Sequence, residues 1–263
     1  MWNQFNNQIL DETKLWRYMG FTKFLSLIEY GLYFCRADKF EDQFEGSLAV
    51  NDQKRWLSHI EDAKRHLDSP EIEEKMEKFK RVIKETTSMD AEEMRKYVVI
   101  NCWHMNEYES EAMWKLYSQS SEGIAIQSTY GRLKGCLDIE GIKQENWMQN
   151  IFMEPVRYID YNVDTTSDMP DHIAPFLHKR KSFEHEKELR VLISHPAAKT
   201  FKQEHVYEQG KIVRVDYEKL IEKIYIAPTL PGWFAILVKD VLKRYGLENI
   251  PVVHSTLDEP AIF

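Results

Sequence analysis

Residues 15–36 read LWRYMGFTKFLSLIEYGLYFCR. Leu15 to Met19 is strand-like, and after Gly20 the apolar residues Phe21, Phe24, Leu25 and Ile28 recur at the i, i+3, i+4, i+7 spacing of one helix face. Gly31 ends that helix, and Leu32 to Arg36 returns to a strand pattern. A strand, a helix and a strand joined by tight turns predict a chain whose helices flank a sheet.

The pattern continues outward. Tyr97 to His104 is rich in β-branched and aromatic residues and reads as a central strand, and Glu109 to Tyr117 returns to helical spacing through Met113, Trp114 and Tyr117. Further strands are expected at Gly123–Gln127, Val156–Tyr161, Leu189–Ser194, Ile212–Val215, Lys223–Ala227 and Pro251–His254, with an amphipathic helix over Gly232–Tyr245. From about 51 to 96 the composition turns charged and helical, with a sparse apolar stripe from Trp56 to Ile83. The fold class is α+β: a single mixed sheet core with flanking helices and a charged helical insertion at 51–96, in one domain over 1–263.

Composition sets the outer limits. With 263 residues, 43% hydrophobic and 13% aromatic, the chain can fill a sizeable core. A formal charge of −8 disfavours general affinity for nucleic acid, which needs surplus Lys and Arg to displace phosphate counterions. Cys35, Cys102 and Cys136 form no C-x-x-C pair and read as buried free thiols in a reducing compartment. With no leader-like N-terminus and no apolar run approaching ~18 residues, the expectation is a cytoplasmic protein outside the membrane.

Four stretches could carry chemistry. In Glu186-Lys187-Glu188-Leu189-Arg190-Val191, strand alternation places Glu186, Glu188 and Arg190 on one face. That face is either a solvent-exposed ladder or a glutamate that stabilises a cationic transition state beside Arg and Lys. Cys102-Trp103-His104, with Met113-Trp114-Lys115-Leu116-Tyr117, is either core with a structural histidine or an aromatic-walled pocket. No second His or Cys stands at ligand spacing from His104, so no metal is expected there. Arg17, between Trp16 and Tyr18, must be paired, with a protein carboxylate or with a ligand phosphate. Asp38 to Gly46 is acidic but lacks EF-hand spacing, and an acidic capping loop that packs Phe40 and Phe44 is the simpler reading.

Taken in order, Leu15-Trp16-Arg17-Tyr18, Gly31-Leu32-Tyr33-Phe34 and Asp38-Lys39-Phe40-Glu41-Asp42-Gln43-Phe44-Glu45-Gly46 resemble the N-terminal signature of the bacterial family catalogued as domain of unknown function 2971. Cys102-Trp103-His104, Met113 to Tyr117 and Gly123-Ile124-Ala125-Ile126 resemble its middle block, and Glu186 to Ile193 its glutamate-rich late strand. The resemblance runs from about residue 15 to 255. The chain departs from it at Trp103-His104, where the family usually has Phe-Ser, and at Leu189, where it usually has Trp.

An Arg in a first strand and a late strand opening on Glu-x-Glu are also similar in layout to ADP-ribosyltransferases. That resemblance implies NAD as substrate, Arg17 on its phosphate or ribose, and Glu186 or Glu188 as the catalytic glutamate of a toxin or defence effector. Tyr18, Trp103, His104, Trp114 and Arg190 are the remaining candidate cofactor-binding residues. Two other functions compete: a non-enzymatic module holding a small ligand or peptide in a groove lined by Trp103 and Trp114, and a nucleic-acid hydrolase using Lys179-Arg180-Lys181.

Overall fold

The structure, a computed structural model, describes residues 9–52, 54, 58, 93–117, 122–145, 150–166, 173–195, 207–257 and 259. The opening is as read: β1 (Lys14–Gly20), α1 (Phe21–Tyr30) and β2 (Leu32–Arg36). Phe24, Leu27 and Ile28 of α1 are buried. Gly31 closes the helix at φ 123, donating its N–H to the Leu27 carbonyl at 2.8 Å. Then follow β3 (Val98–Met105), α2 (Glu111–Tyr117), β4 (Gly123–Thr129), α3 (Tyr130–Cys136), α4 (Ile139–Glu145), β5 (Asn150–Pro155), β6 (Arg157–Ile159) and β7 (His178–Arg180). The chain closes with β8 (Glu188–Ser194), β9 (Gly210–Val213), α5 (Tyr217–Leu220), β10 (Lys223–Ile226), α6 (Gly232–Arg244) and β11 (Val252–His254).

Nine strands form one mixed sheet, and β6 and β7 form a separate parallel pair. The α+β class with a single sheet core is therefore observed. Of the insertion expected at 51–96 only 51, 52, 54, 58 and 93–96 are described, and of these 51, 52, 54, 58, 93 and 94 are α-helical. Among the described residues no helix is long and apolar enough to cross a membrane.

β3 organises the sheet. One edge pairs with β8 along Val98–His104. The other edge is divided: β1 takes His104 and Met105, β2 takes Val99 and Ile100, and the two strands part between them. Asn101 Nδ2 donates to the Tyr33 carbonyl at 2.8 Å and Arg17 Nη1 to the Cys102 carbonyl at 3.2 Å, so side chains serve the backbone where the ladder opens.

The main core lies on the face of Leu15, Met19, Val99, Trp103, Leu189 and Val191, covered by α1, α3 and α6. On the opposite face, Val98, Ile100, Leu192 and Phe152 pack against the turn at Ala174–Phe176, and Trp16 and Tyr18 pack against Met113 and Trp114 of α2. Two strands escaped the sequence reading. β5 has only Ile151, Phe152 and Met153 as an apolar run and owes its form to pairing with β8. β7 lies in a basic stretch whose strand character comes from β6.

Gly31 gives a direct test of this packing. A Cβ added there would stand 2.4 Å from the Val213 carbonyl oxygen, on a φ that L side chains rarely adopt. Gly31→Ala should lower unfolding free energy by about 1–3 kcal/mol in urea titration. An unchanged midpoint would mean that the α1–β2 junction is not held as described.

Candidate functional site

Every residue of β8 is buried, yet its second face carries Glu188 and Arg190. A strand enclosed on both faces is normally a continuous apolar run, and charges survive there only if each is matched. The Arg190 guanidinium, 0% exposed, is matched almost completely. Nη1 and Nη2 donate to the two Glu45 oxygens at 2.7 and 2.9 Å, Nε to Glu188 Oε2 at 2.6 Å, and Nη1 also to the Phe176 carbonyl at 2.8 Å. Phe40 lies beneath it, 5.7 Å from ring centroid to guanidinium carbon.

Lys179, on β7, extends the network. Its Nζ donates to Glu188 Oε1 at 2.7 Å and to Glu186 Oε2 at 2.5 Å, and it sits 4.5 Å over the Phe183 ring. Two carboxyls thus meet on one ammonium, each 7% exposed. The solvent-exposed ladder is overturned by this burial. Alternation along a strand is not what brings Glu186 here, because it ends a 3-10 turn over Lys181–Glu186 and the chain reverses at Lys187 (φ 40, ψ 54) before β8 begins.

The environment drives the two carboxyls apart. For Glu188 burial works toward protonation, but Arg190 and Lys179 outweigh it and hold the group well below the usual carboxylate range. For Glu186 burial dominates, the hydrogen bond with Glu188 adds to it, and Lys179 only partly offsets them, so the group rises from 4.5 to about 7. Burial opposes the Lys179 ammonium, but Glu188 and Glu186 more than compensate and keep it charged. Glu188 and Glu45 already match Arg190 and Lys179, so ionising Glu186 adds an anion without a cation of its own.

His104 lies beside Glu188 as its cross-strand partner on β3. Its Nδ1 stands 2.6 Å from the Glu186 carbonyl oxygen, which can only accept, so Nδ1 carries the proton and Nε2 is a lone pair. Burial lowers its basicity, and Nε2 has no hydrogen-bond partner among the described residues. Tyr18 packs edge-on against His104, with centroids 6.1 Å apart, and against Trp114 at 5.0 Å.

The other expected site residues are distributed differently. Trp103 and Trp114 are 1% and 3% exposed and sit in separate clusters on the two sides of the sheet, so they do not line one open groove. Arg17 is the neighbour of Trp16, which pairs with His104, so alternation delivers it to the face opposite His104 and Glu188. There it lies 5.8 Å from the Trp103 ring centroid; no carboxylate pairs with it among the described residues, and its partner is the Cys102 carbonyl. Arg190, a candidate cofactor-binding residue by sequence, instead gives its hydrogen bonds to protein groups and holds Glu188.

Two members of the network were not foreseen. Lys179 belongs by sequence to a basic run, but the run divides: Lys179 enters the buried network, Arg180 pairs with Asp42 at 2.8 Å, and Lys181 with Asp164 at 3.2 Å. Each cation of the run is thus paired with a carboxylate, and Lys179 is buried away from any surface patch. Glu45 lies in the loop whose sequence predicts an acidic cap packed by Phe40 and Phe44; Phe40 packs inward, whereas Phe44 is 38% exposed and Glu45 is the buried residue. The signal available was the need of a strand-bound Arg190 for a second anion, but nothing local says which of many acids supplies it.

Among the described residues no group of three or more His, Cys, Asp or Glu is arranged to hold a metal ion. No protein-family model matches the chain, and no curated protein or solved structure does.

Two stability tests follow from this geometry. Glu45→Gln leaves Arg190 short of an anion and should cost about 3–5 kcal/mol in chemical denaturation. A loss below about 1 kcal/mol would contradict the matched-charge account. Glu186 binds its proton more tightly folded than unfolded, so its contribution to stability is full below 4.5 and is lost as pH rises to about 7. Glu186→Gln lacks that loss, and its stability relative to wild type should rise between pH 5 and pH 8; a constant difference would refute the assignment.

Proposed function

We propose that the Glu186–Glu188 pair is the catalytic centre of an enzyme that cleaves a C–N glycosidic bond, with NAD as the substrate and nicotinamide as the leaving group. The observation that carries the reading is the convergence of two carboxyls of divergent acidity on the Lys179 ammonium. Such a divergence is how proteins assign different roles to neighbouring carboxyl groups.

Glu188, held ionised, stabilises positive charge that develops on the ribosyl carbon as the C–N bond breaks, an interaction stronger in the transition state than in the bound substrate. Nicotinamide leaves with the bonding electron pair. Glu186, which releases its proton near neutrality, takes the proton of the attacking water or acceptor hydroxyl. The reading accords with the resemblance to ADP-ribosyltransferases in its late glutamates. It rests on those residues alone, since Arg17 belongs to the other face.

A non-enzymatic module reading Trp103 and Trp114 draws less support, because such a module presents indole surface and both of these are core. The test is nicotinamide release from NAD. Wild-type protein should release it, with a rate rising as pH passes about 7; Glu188→Gln should lower kcat by about 10²–10³-fold and Glu186→Gln by about 10²-fold with the pH dependence lost. Wild-type protein that yields no nicotinamide above the uncatalysed rate, alone or with cell lysate as acceptor, would end this reading.

A further inference from the structure

The Glu186-Lys187-Glu188 segment is held at more points than an ordinary strand entry. Lys187, at φ 40 and ψ 54, occupies the left-handed region that a residue with a Cβ avoids and that persists only where its surroundings over-determine it. The surroundings do so. The Glu186 carbonyl takes the His104 Nδ1–H at 2.6 Å, the Lys187 carbonyl takes the Met105 N–H at 2.8 Å, and the Lys187 N–H reaches the Glu184 carbonyl at 3.2 Å. On the far side the Val156 N–H donates to the Glu188 carbonyl at 2.8 Å, and the Glu188 N–H donates to the Tyr158 hydroxyl oxygen, also at 2.8 Å.

The last bond is unlike the rest. The β5 ladder with β8 ends at Pro155 opposite Leu189, so the Glu188 amide has no further strand residue in register to receive it. A tyrosine oxygen from β6 takes the place of that missing carbonyl. Most of the other clamps are backbone to backbone and survive any side-chain change; this one depends on a single hydroxyl.

We propose that Tyr158 is a positioning residue for the carboxyl pair: by accepting the Glu188 amide it holds the left-handed turn at Lys187 that brings Glu186 and Glu188 onto one ammonium. Its functional meaning rests on the reading of that pair as catalytic. Without the hydroxyl the first residue of β8 is released on one side, the turn relaxes, and Glu186 moves away from Glu188 toward water. Glu186 is faced by Lys179 from β7, Glu188 from β8, Tyr117 from α2 and Tyr158 from β6, with His104 on its carbonyl. Of these, Lys179 and Glu188 stay charged near neutrality, so a change in the Glu186 midpoint reports its distance from them and its burial.

The experiment is a carbon-13 NMR titration of the Glu186 side-chain carboxyl in wild type, Tyr158→Phe and Lys187→Gly. The wild-type midpoint should lie near 7. Tyr158→Phe should lower it by about one pH unit, toward an ordinary carboxyl, while Lys187→Gly, which tolerates the left-handed turn, should keep it. A Tyr158→Phe midpoint equal to wild type overturns the proposal and leaves Tyr158 a packing residue. Should Tyr158→Phe melt too early to titrate, hydrogen exchange at the Glu188 amide of the wild-type chain decides: strong protection supports the clamp, and exchange at the rate of an open loop overturns it. Nicotinamide release on the same samples separates the two ideas. A shifted midpoint with no release from any form ends the glycosidic reading and leaves this role standing, whereas release with an unshifted midpoint ends this role alone.

Discussion

The Arg190 guanidinium is the constraint around which the second face of this sheet is arranged. A fully buried cation is tolerable only when nearly every N–H finds an acceptor and its charge finds an anion. Glu45, Glu188 and the Phe176 carbonyl meet those demands, and each belongs to a different part of the chain. One side chain therefore fixes where the loop after β2 must lie, how the Ala174–Phe176 turn approaches, and which way Glu188 points. Such a network specifies an arrangement more than it adds net stability, since exchanging a buried pair for apolar packing is often neutral, whereas removing one partner is costly.

The same arrangement determines the electrostatics of the candidate site. Arg190 takes one Glu188 oxygen and Lys179 the other, so Glu188 is ionised by two cations at hydrogen-bond distance. Glu186 shares only Lys179, so burial first and the hydrogen bond with Glu188 second retain its proton to near neutrality. Two chemically identical groups acquire opposite tendencies because two cations outweigh burial at Glu188 and one does not at Glu186. The tyrosines around them, Tyr117 and Tyr158, are kept protonated by burial first and by the two glutamates second.

Arg17 and Arg190 show two solutions to one problem. Both are arginines on strands amid apolar neighbours, and from sequence both require partners. Arg190 is matched by carboxylates. Arg17 stands where β1 and β2 part along β3, and there it serves a backbone carbonyl that the divided ladder leaves open, 5.8 Å from the Trp103 ring centroid. The requirement was readable in each case; the partner was not, because it depends on which strands meet.

What the sequence determined by itself is what repeats locally. The strand, helix and strand of residues 15–36, the helical spacing around Trp114, and the late strand with Leu189 and Val191 turned to the core all follow from periods that the chain carries in itself. β5 and β7 were illegible because neighbours, not their own residues, make them strands. The tertiary structure alone decided that Lys179 and Glu45 join the network, that Glu186 arrives through a left-handed turn rather than along a strand, and that Arg17 and Glu188 occupy opposite faces. The physical reason is that periodicity specifies the direction of a side chain, whereas burial and charge pairing depend on residues brought together from distant parts of the chain, 145 positions apart for Glu45 and Arg190.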